Sequence, residues 1–205
     1  LLEKLTQTPG IAGREHRIRQ LIEKETKGLF DEVTTDPLGS LICVRKPRVA
    51  KGASKPKKPT RIMLAAHMDQ IGFMVRHIDD KGFLRLNAVG GFDTRNLFAR
   101  MVTVCPDVRD GKQDLTGVLN PSGKPIHIAT DEEKKKIPTV DEFMVDLGIP
   151  VEDVKRQVKV GDMVVLKGPL HRVGQTVVSQ CLDNRIACWI AIRALQQLKH
   201  HNCEI

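Results

Sequence analysis

The apolar run Ile62-Met63-Leu64-Ala65-Ala66 ends abruptly in His67-Met68-Asp69. A short continuous run of this kind predicts a strand buried on both faces, as in sheets covered by helices. It therefore commits the chain to a layered α/β arrangement around that strand. In an extended chain residues i and i+2 point the same way, so His67 and Asp69 can converge on one point. That geometry suits a metal ligand with its orienting partner, or two ligands. It equally suits a strand end where a histidine is held by a neighbouring carboxylate.

Upstream, residues 1–8 and 14–28 read as helices separated by the turn cluster Thr8-Pro9-Gly10-Ile11-Ala12-Gly13. Ile18, Leu21 and Ile22 fall at helical spacing. Residues 32–36 and 40–45 read as strands around the turn Pro37-Leu38-Gly39. After His67 the texture changes. Short strands are expected at 73–78, 83–88, 101–105, 115–119 and 162–166, with helical pieces at 131–136 and 151–157. Strands at such spacing suggest a small barrel or sandwich. Near Gly174 the α/β pattern returns: a strand at 176–179, then a helix from Asp183 to about Lys199 with Ile186, Trp189, Ile190, Arg193, Ala194 and Leu198 along one side. The expected organisation is an α/β domain in two segments, 1–70 and 174–205, interrupted by an all-β insertion over 71–173. His67 and Asp183 then fall at the two junctions, at carboxyl ends of strands, where open α/β sheets bind ligands. On sequence position alone, a helix cap is the favoured role for Asp183.

The net charge of +8 resembles a nucleic-acid signal. Arg45, Lys46, Arg48, Lys51, Lys55, Lys57, Lys58 and Arg61 carry that whole excess in one stretch without an acid. The stretch is rich in Pro, Ala and Gly and has no aromatics for base stacking, so it reads as a solvated mobile loop and disfavours nucleic acid. No window reaches the roughly 18 apolar residues of a membrane span, and no signal-peptide pattern opens the chain. Cys43, Cys105, Cys181, Cys188 and Cys203 are scattered, without a C-x-x-C pair, and read as reduced thiols of a cytoplasmic protein. Cys181 reads as a small buried residue. The chain begins Leu1-Leu2-Glu3 without Met, which suggests a trimmed start.

Residues 66–75, Ala-His-Met-Asp-Gln-Ile-Gly-Phe-Met-Val, resemble the first metal motif of the tetrahedral (TET) aminopeptidases, also described as glutamyl or deblocking aminopeptidases and as cellulase-M-like proteins. Residues 181–187, Cys-Leu-Asp-Asn-Arg-Ile-Ala, resemble the second. The hairpin Thr34–Leu41, Gly90-Gly91-Phe92 and Val160-Gly161-Asp162 match supporting stretches in order along essentially the whole chain. The resemblance implies a zinc-peptidase-like mixed α/β fold with a PDZ-like or barrel-like dimerisation insertion. It also implies a dinuclear metal site with two divalent ions, zinc, cobalt or manganese. His67 would bind one ion, Asp183 would bridge both, and Asp69 would act as the catalytic residue orienting the His67 imidazole. The expected activity is hydrolysis of N-terminal residues from peptides, by dimers assembled into a dodecamer.

The departures are as informative. Gln70 stands where the family usually has Glu, and Phe92 where it has Trp, while Asn184 is within family variation; the basic loop is long. The family's Glu-Glu pair (general base and ligand), a further Asp and a late His would all lie beyond Ile205. The chain therefore reads as a fold incomplete at its C-terminus, a fragment whose catalytic half is incomplete and which is expected to be inactive alone. Two other functions stay open. An endoglucanase-type glycoside hydrolase needs two carboxylates in a sugar cleft, and only 3% of these residues are aromatic. A non-catalytic paralogue would only oligomerise through the β insertion.

Overall fold

The computed structural model describes residues 1–106, 112–124 and 126–205. The chain divides into two compact units: Leu1–Gln70 with Pro169–Ile205, and Ile71–Gly168.

The first unit opens with helices α1 (Leu2–Gln7) and α2 (His16–Glu25), which bury Leu5, Ile18 and Ile22 in one cluster with Cys188 and Ile192. Ile18 and Ile22 stand one turn apart, so they share a face. Strands β1 (Glu32–Thr35) and β2 (Leu41–Val44) form an antiparallel hairpin with Val33 opposite Cys43. Its turn is fixed by Asp36, whose carboxylate accepts the Ser40 backbone N–H at 2.8 Å. Gly39 supplies the positive φ of +92° that a side chain would resist. The Ser40 N–H bond holds the Asp36 carboxyl below the usual carboxylate range.

In the second unit β3 (Gly72–Ile78), β4 (Leu84–Val89), β5 (Arg100–Cys105), β6 (Leu115–Pro121), β7 (Phe143–Asp146) and β8 (Met163–Leu166) close into an antiparallel barrel. Their order around it is β3-β4-β7-β6-β5-β8. Of barrel and sandwich, the chain forms the barrel. Alternate residues point inward, as a pleated strand requires: Phe73 and Val75, Leu84 and Leu86, Val102 and Val104, Phe143 and Val145 are all buried. Short helices α3 (Asp131–Lys135) and α4 (Val151–Gln157) interrupt the strands where helical pieces were expected. The turn Val160-Gly161-Asp162 is stitched to β3: Gly161 N–H donates to the Val75 carbonyl at 2.8 Å and Val75 N–H to the Asp162 carbonyl at 2.9 Å. Strand β7 was not anticipated, because Asp141, Glu142 and Asp146 around its apolar residues make it read as a charged loop. Phe143 is fully buried in the barrel. Phe143→Ala is expected to destabilise this unit by about 3–5 kcal/mol, measurable as a lower urea midpoint.

The chain then returns through an exposed hairpin, β9 (His171–Val173) and β10 (Thr176–Val178), to helix α5 (Leu182–Gln197). Three expectations are corrected in this unit. The apolar face of α5 is not the one the sequence suggested. Arg185, Cys188, Ile192 and Leu195 are buried, whereas Ile190, Arg193 and Ala194 are exposed. The buried stripe runs through Arg185 and Cys188, residues the expected stripe did not include. The run 62–66 forms no strand and is exposed, Met63 to 87%. A strand needs neighbours to pair with, and this run meets the segment 201–205 only at its start, where Arg61 lies in a parallel bridge with Glu204. Finally, Arg45 is not part of a solvated loop. It is buried, and its guanidinium donates to the Leu195 and Leu198 carbonyls at the C-terminal end of α5. A cation is favourable there because those carbonyls lack helical partners.

Candidate metal centre

His67 stands at the carboxyl end of the 62–66 segment. Its Nδ1 lies 2.9 Å from Asp69 Oδ1 and its Nε2 lies 3.4 Å from Asp183 Oδ1. All three residues belong to the first unit, so the chain brings together the residues expected to share a site across 116 positions of sequence (183 − 67). Asp183 is not a helix cap. No side-chain hydrogen bond caps α5, and Asp183 has extended backbone angles, φ −84° and ψ 110°, ahead of the regular helix. The Asp183–Asn184 peptide bond is cis. The Asp183 side chain is 95% exposed and that of His67 53% exposed, so both present donor atoms to solvent.

The geometry can be tested against a metal. If Nδ1–H is donated to Asp69, Nε2 turns a lone pair toward the Asp183 carboxylate. Two acceptors facing each other are reconciled by a shared cation. Zinc bonds of about 2.0–2.2 Å at tetrahedral angles place two ligand atoms roughly 3.4 Å apart, which the observed 3.4 Å matches. The pair therefore fits a divalent ion, with Asp69 fixing the ring orientation. Among the described residues no group of three or more His, Cys, Asp or Glu side chains gathers around a point. Glu204 pairs with Arg61 at 2.7 Å.

What holds these donors in place is a residue that sequence reading passed over as part of a motif. Arg185 is fully buried. Its guanidinium donates to the carbonyls of Leu5, Thr8 (3.1 Å) and Gly10 (3.4 Å). Gly10 also accepts the Gln70 backbone N–H at 2.9 Å, beside a parallel bridge between Ile11 and Gln70. One carbonyl thus ties the start of α5, which carries Asp183, to the residue after Asp69. The turn is tight: a Cβ on Gly10 would sit 2.8 Å from Ile18 Cγ2. α5 carries two arginines, Arg185 and Arg193, and the buried one is distinguished only by the several acceptors a buried guanidinium must find.

The neighbouring thiols are poor metal ligands. Burial pushes Cys181 up to about 11, and Cys188 is raised by the same cause. Their protons go to carbonyls, Cys181 Sγ to Thr6 at 3.1 Å and Cys188 Sγ to His67 at 3.4 Å. Burial therefore keeps the Cys181 thiol protonated at pH 8. Cys181 is therefore expected to stay unmodified by iodoacetamide at pH 8 for as long as free cysteine takes to be consumed, as read by peptide mass spectrometry.

A sequence profile described as M42 glutamyl aminopeptidase matches residues 48–205. A putative aminopeptidase of Acetivibrio thermocellus is 35% identical over 206 aligned positions, covering 100% of this chain and 55% of that protein. Among solved structures, an aminopeptidase of the archaeon Desulfurococcus kamchatkensis superposes with a TM-score of 0.83 at 30% identity, covering 99% of this chain and 52% of its own. The Pyrococcus horikoshii TET1 peptidase, which can assemble into a tetrahedron or a large octahedral shell, gives 0.80 at 30% identity, covering 99% of this chain and 57% of its own. The chain thus spans about half the length of the relatives it matches. With the profile covering most of its length and the fold shared throughout, the chain belongs to the M42 glutamyl aminopeptidase family.

Proposed function

We propose that this chain is the front part of a dinuclear metallo-aminopeptidase that removes N-terminal residues from peptides. The observation that carries the reading is the 3.4 Å approach of His67 Nε2 to Asp183 Oδ1 with Nδ1 held by Asp69. In this reading His67 would hold one divalent ion and Asp183 would be shared by two, and Asp69 keeps the imidazole in the tautomer whose Nε2 is free to donate its lone pair. Zinc, cobalt and manganese all suit such donors. When bound, the ions supply Lewis acidity toward the scissile carbonyl and toward water. The protein's own part is orientation: Asp69 directs Nε2, and the Arg185–Gly10–Gln70 links fix its distance from Asp183. Further donors and the general base are then supplied by polypeptide that follows Ile205, since two donors are gathered among the described residues.

The barrel unit serves in the same reading as the dimerisation module of a larger assembly. Its support is the fold shared with the TET1 peptidase. A cytoplasmic setting is part of the reading, in line with five cysteines that form no disulfide among the described residues. Among the described residues no helix is long and apolar enough to cross a membrane.

The complete protein, loaded with Co²⁺ or Zn²⁺, is expected to release p-nitroaniline from aminoacyl anilides and to leave carboxymethylcellulose intact. Cellulose cleavage without anilide cleavage would replace the peptidase reading by the glycosidase one. If neither occurs in metal-loaded, folded protein, the non-catalytic assembly reading takes its place.

A further inference from the structure

The structure divides the basic stretch 45–61 into two sets of cations. Arg45 is committed to the last carbonyls of α5. Lys46 pairs with Glu32 at 2.5 Å, Arg48 lies 4.0 Å from Asp31, and Arg61 pairs with Glu204 at 2.7 Å. The remaining four, Lys51, Lys55, Lys57 and Lys58, are exposed. Among the described residues none of these four has a carboxylate partner, and the stretch itself contains no acid.

The backbone presents these lysines to solvent. Ala53 N–H donates to the Ala50 carbonyl at 3.0 Å, closing a turn with Lys51 and Gly52 at its centre. Gly52 takes a φ of +88° there, which a side chain would resist. Lys55 and Lys58 each precede a proline, which biases them toward extended backbone. Pro56 and Pro59 have no N–H to give a helix or a sheet. At about 3.6 Å per residue, Lys51 to Lys58 span at most about 25 Å. Four free positive charges are thus strung along one exposed loop, anchored at its base by the paired Lys46, Arg48 and Arg61.

We infer that the loop Lys51–Lys58 docks the protein on an anionic phospholipid surface. Each lysine is a compact point charge on a flexible stem, which suits headgroups that move laterally to meet it. Gly52, Ala53, Ser54 and Pro56 between them are small, so nothing in the loop stacks on bases or enters the hydrocarbon. The attraction is electrostatic and holds the loop at the headgroup level. Four free cations reach the number at which basic clusters bind anionic leaflets, roughly four to eight. They are fewer than the roughly six to ten phosphate contacts of a nucleic-acid binder held by charge. The attraction decays within about 8 Å at physiological ionic strength, so the exposed lysines count and Lys46, neutralised by Glu32, counts little. The inference rests on the charge and exposure of this loop and is independent of any hydrolytic chemistry.

The test sediments the complete protein with vesicles of phosphatidylcholine alone, or of phosphatidylcholine and phosphatidylserine at about 2:1. Binding is expected to the second kind only. It should be lost at about 1 M salt, where the screening length falls to about 3 Å. Lys51→Ala, Lys55→Ala, Lys57→Ala and Lys58→Ala are each expected to weaken binding about fivefold, and the fourfold variant to abolish it. Lys46→Ala is expected to weaken it less than about twofold, because that charge is already paired. All five positions lie outside the helices and strands, so the variants should keep the circular dichroism of the parent. Equal binding to both kinds of vesicle would overturn the inference, and so would a fourfold variant that still binds. A loss with Lys46→Ala as large as with the four lysines would overturn it in favour of overall net charge. Polyuridylate that strips the protein from the vesicles and binds more tightly at the same salt would overturn it in favour of nucleic acid.

Discussion

Arg185→Met is expected to lower the stability of the first unit by about 3–5 kcal/mol. The side chain is close in length and apolar, so the loss does not come from a large cavity. It comes from the carbonyls of Leu5, Thr8 and Gly10, which the guanidinium now satisfies. A buried acceptor left without its donor costs about 1–3 kcal/mol, and the three share one donor group, so their costs do not add in full. Burial lowers the Arg185 pKa, but from so high a starting point that the charge persists at neutral pH. Domain stabilities of about 5–15 kcal/mol make a loss of this size visible. Urea unfolding followed by Trp189 fluorescence reads it directly. Arg185→Lys keeps the charge but has no fork to reach three carbonyls, and is expected to recover less than half of the loss. A midpoint unchanged by Arg185→Met would mean that the three carbonyls find water instead.

The contrast between Arg185 and the barrel shows which features a sequence declares. Barrel strands announce themselves because one face is buried and the other wet, so in β4 Leu84 and Leu86 alternate with Arg85 and Asn87. The signal is local and survives without knowledge of the partner strand. The position of a strand in a sheet is not local. Ile62 to Ala66 have the composition of a central strand, yet their exposure depends on residues that pair beside them, and here that pairing stops at Ile62. Arg45 and Arg185 escaped for a related reason. A buried cation is recognisable only through its acceptors, and these are backbone carbonyls of distant residues that any sequence could supply. His67 and Asp69 were legible because strand geometry relates i to i+2. Their meeting with Asp183 was legible only from the split of the α/β domain, which puts both at its junctions, and from the motif resemblance, since nothing local ties residue 67 to residue 183.

Asp183→Ala in the complete, metal-loaded protein is expected to lower kcat/KM for aminoacyl anilides by about a thousandfold or more, roughly 4 kcal/mol of transition-state stabilisation. The size follows from the proposed role. A carboxylate that bridges two cations offsets charge on both, so its removal weakens both sites together rather than one. The loss is expected to appear first in metal content, measured by elemental analysis after dialysis against chelator. The fold should tolerate the change, because the Asp183 side chain is 95% exposed and accepts no capping bond from α5. Oligomer size by light scattering is expected to be unaltered, since Asp183 lies outside the barrel unit assigned to dimerisation. Asp183→Asn separates charge from shape: it keeps one oxygen for coordination but removes the negative charge, so it should retain more metal than the alanine variant and still turn over poorly. His67→Ala offers the complementary case, with one ion lost and the bridge intact. If Asp183→Ala kept both its metals and its rate, the 3.4 Å approach to His67 would be an ordinary surface contact, and the metal centre would have to be sought elsewhere in the protein.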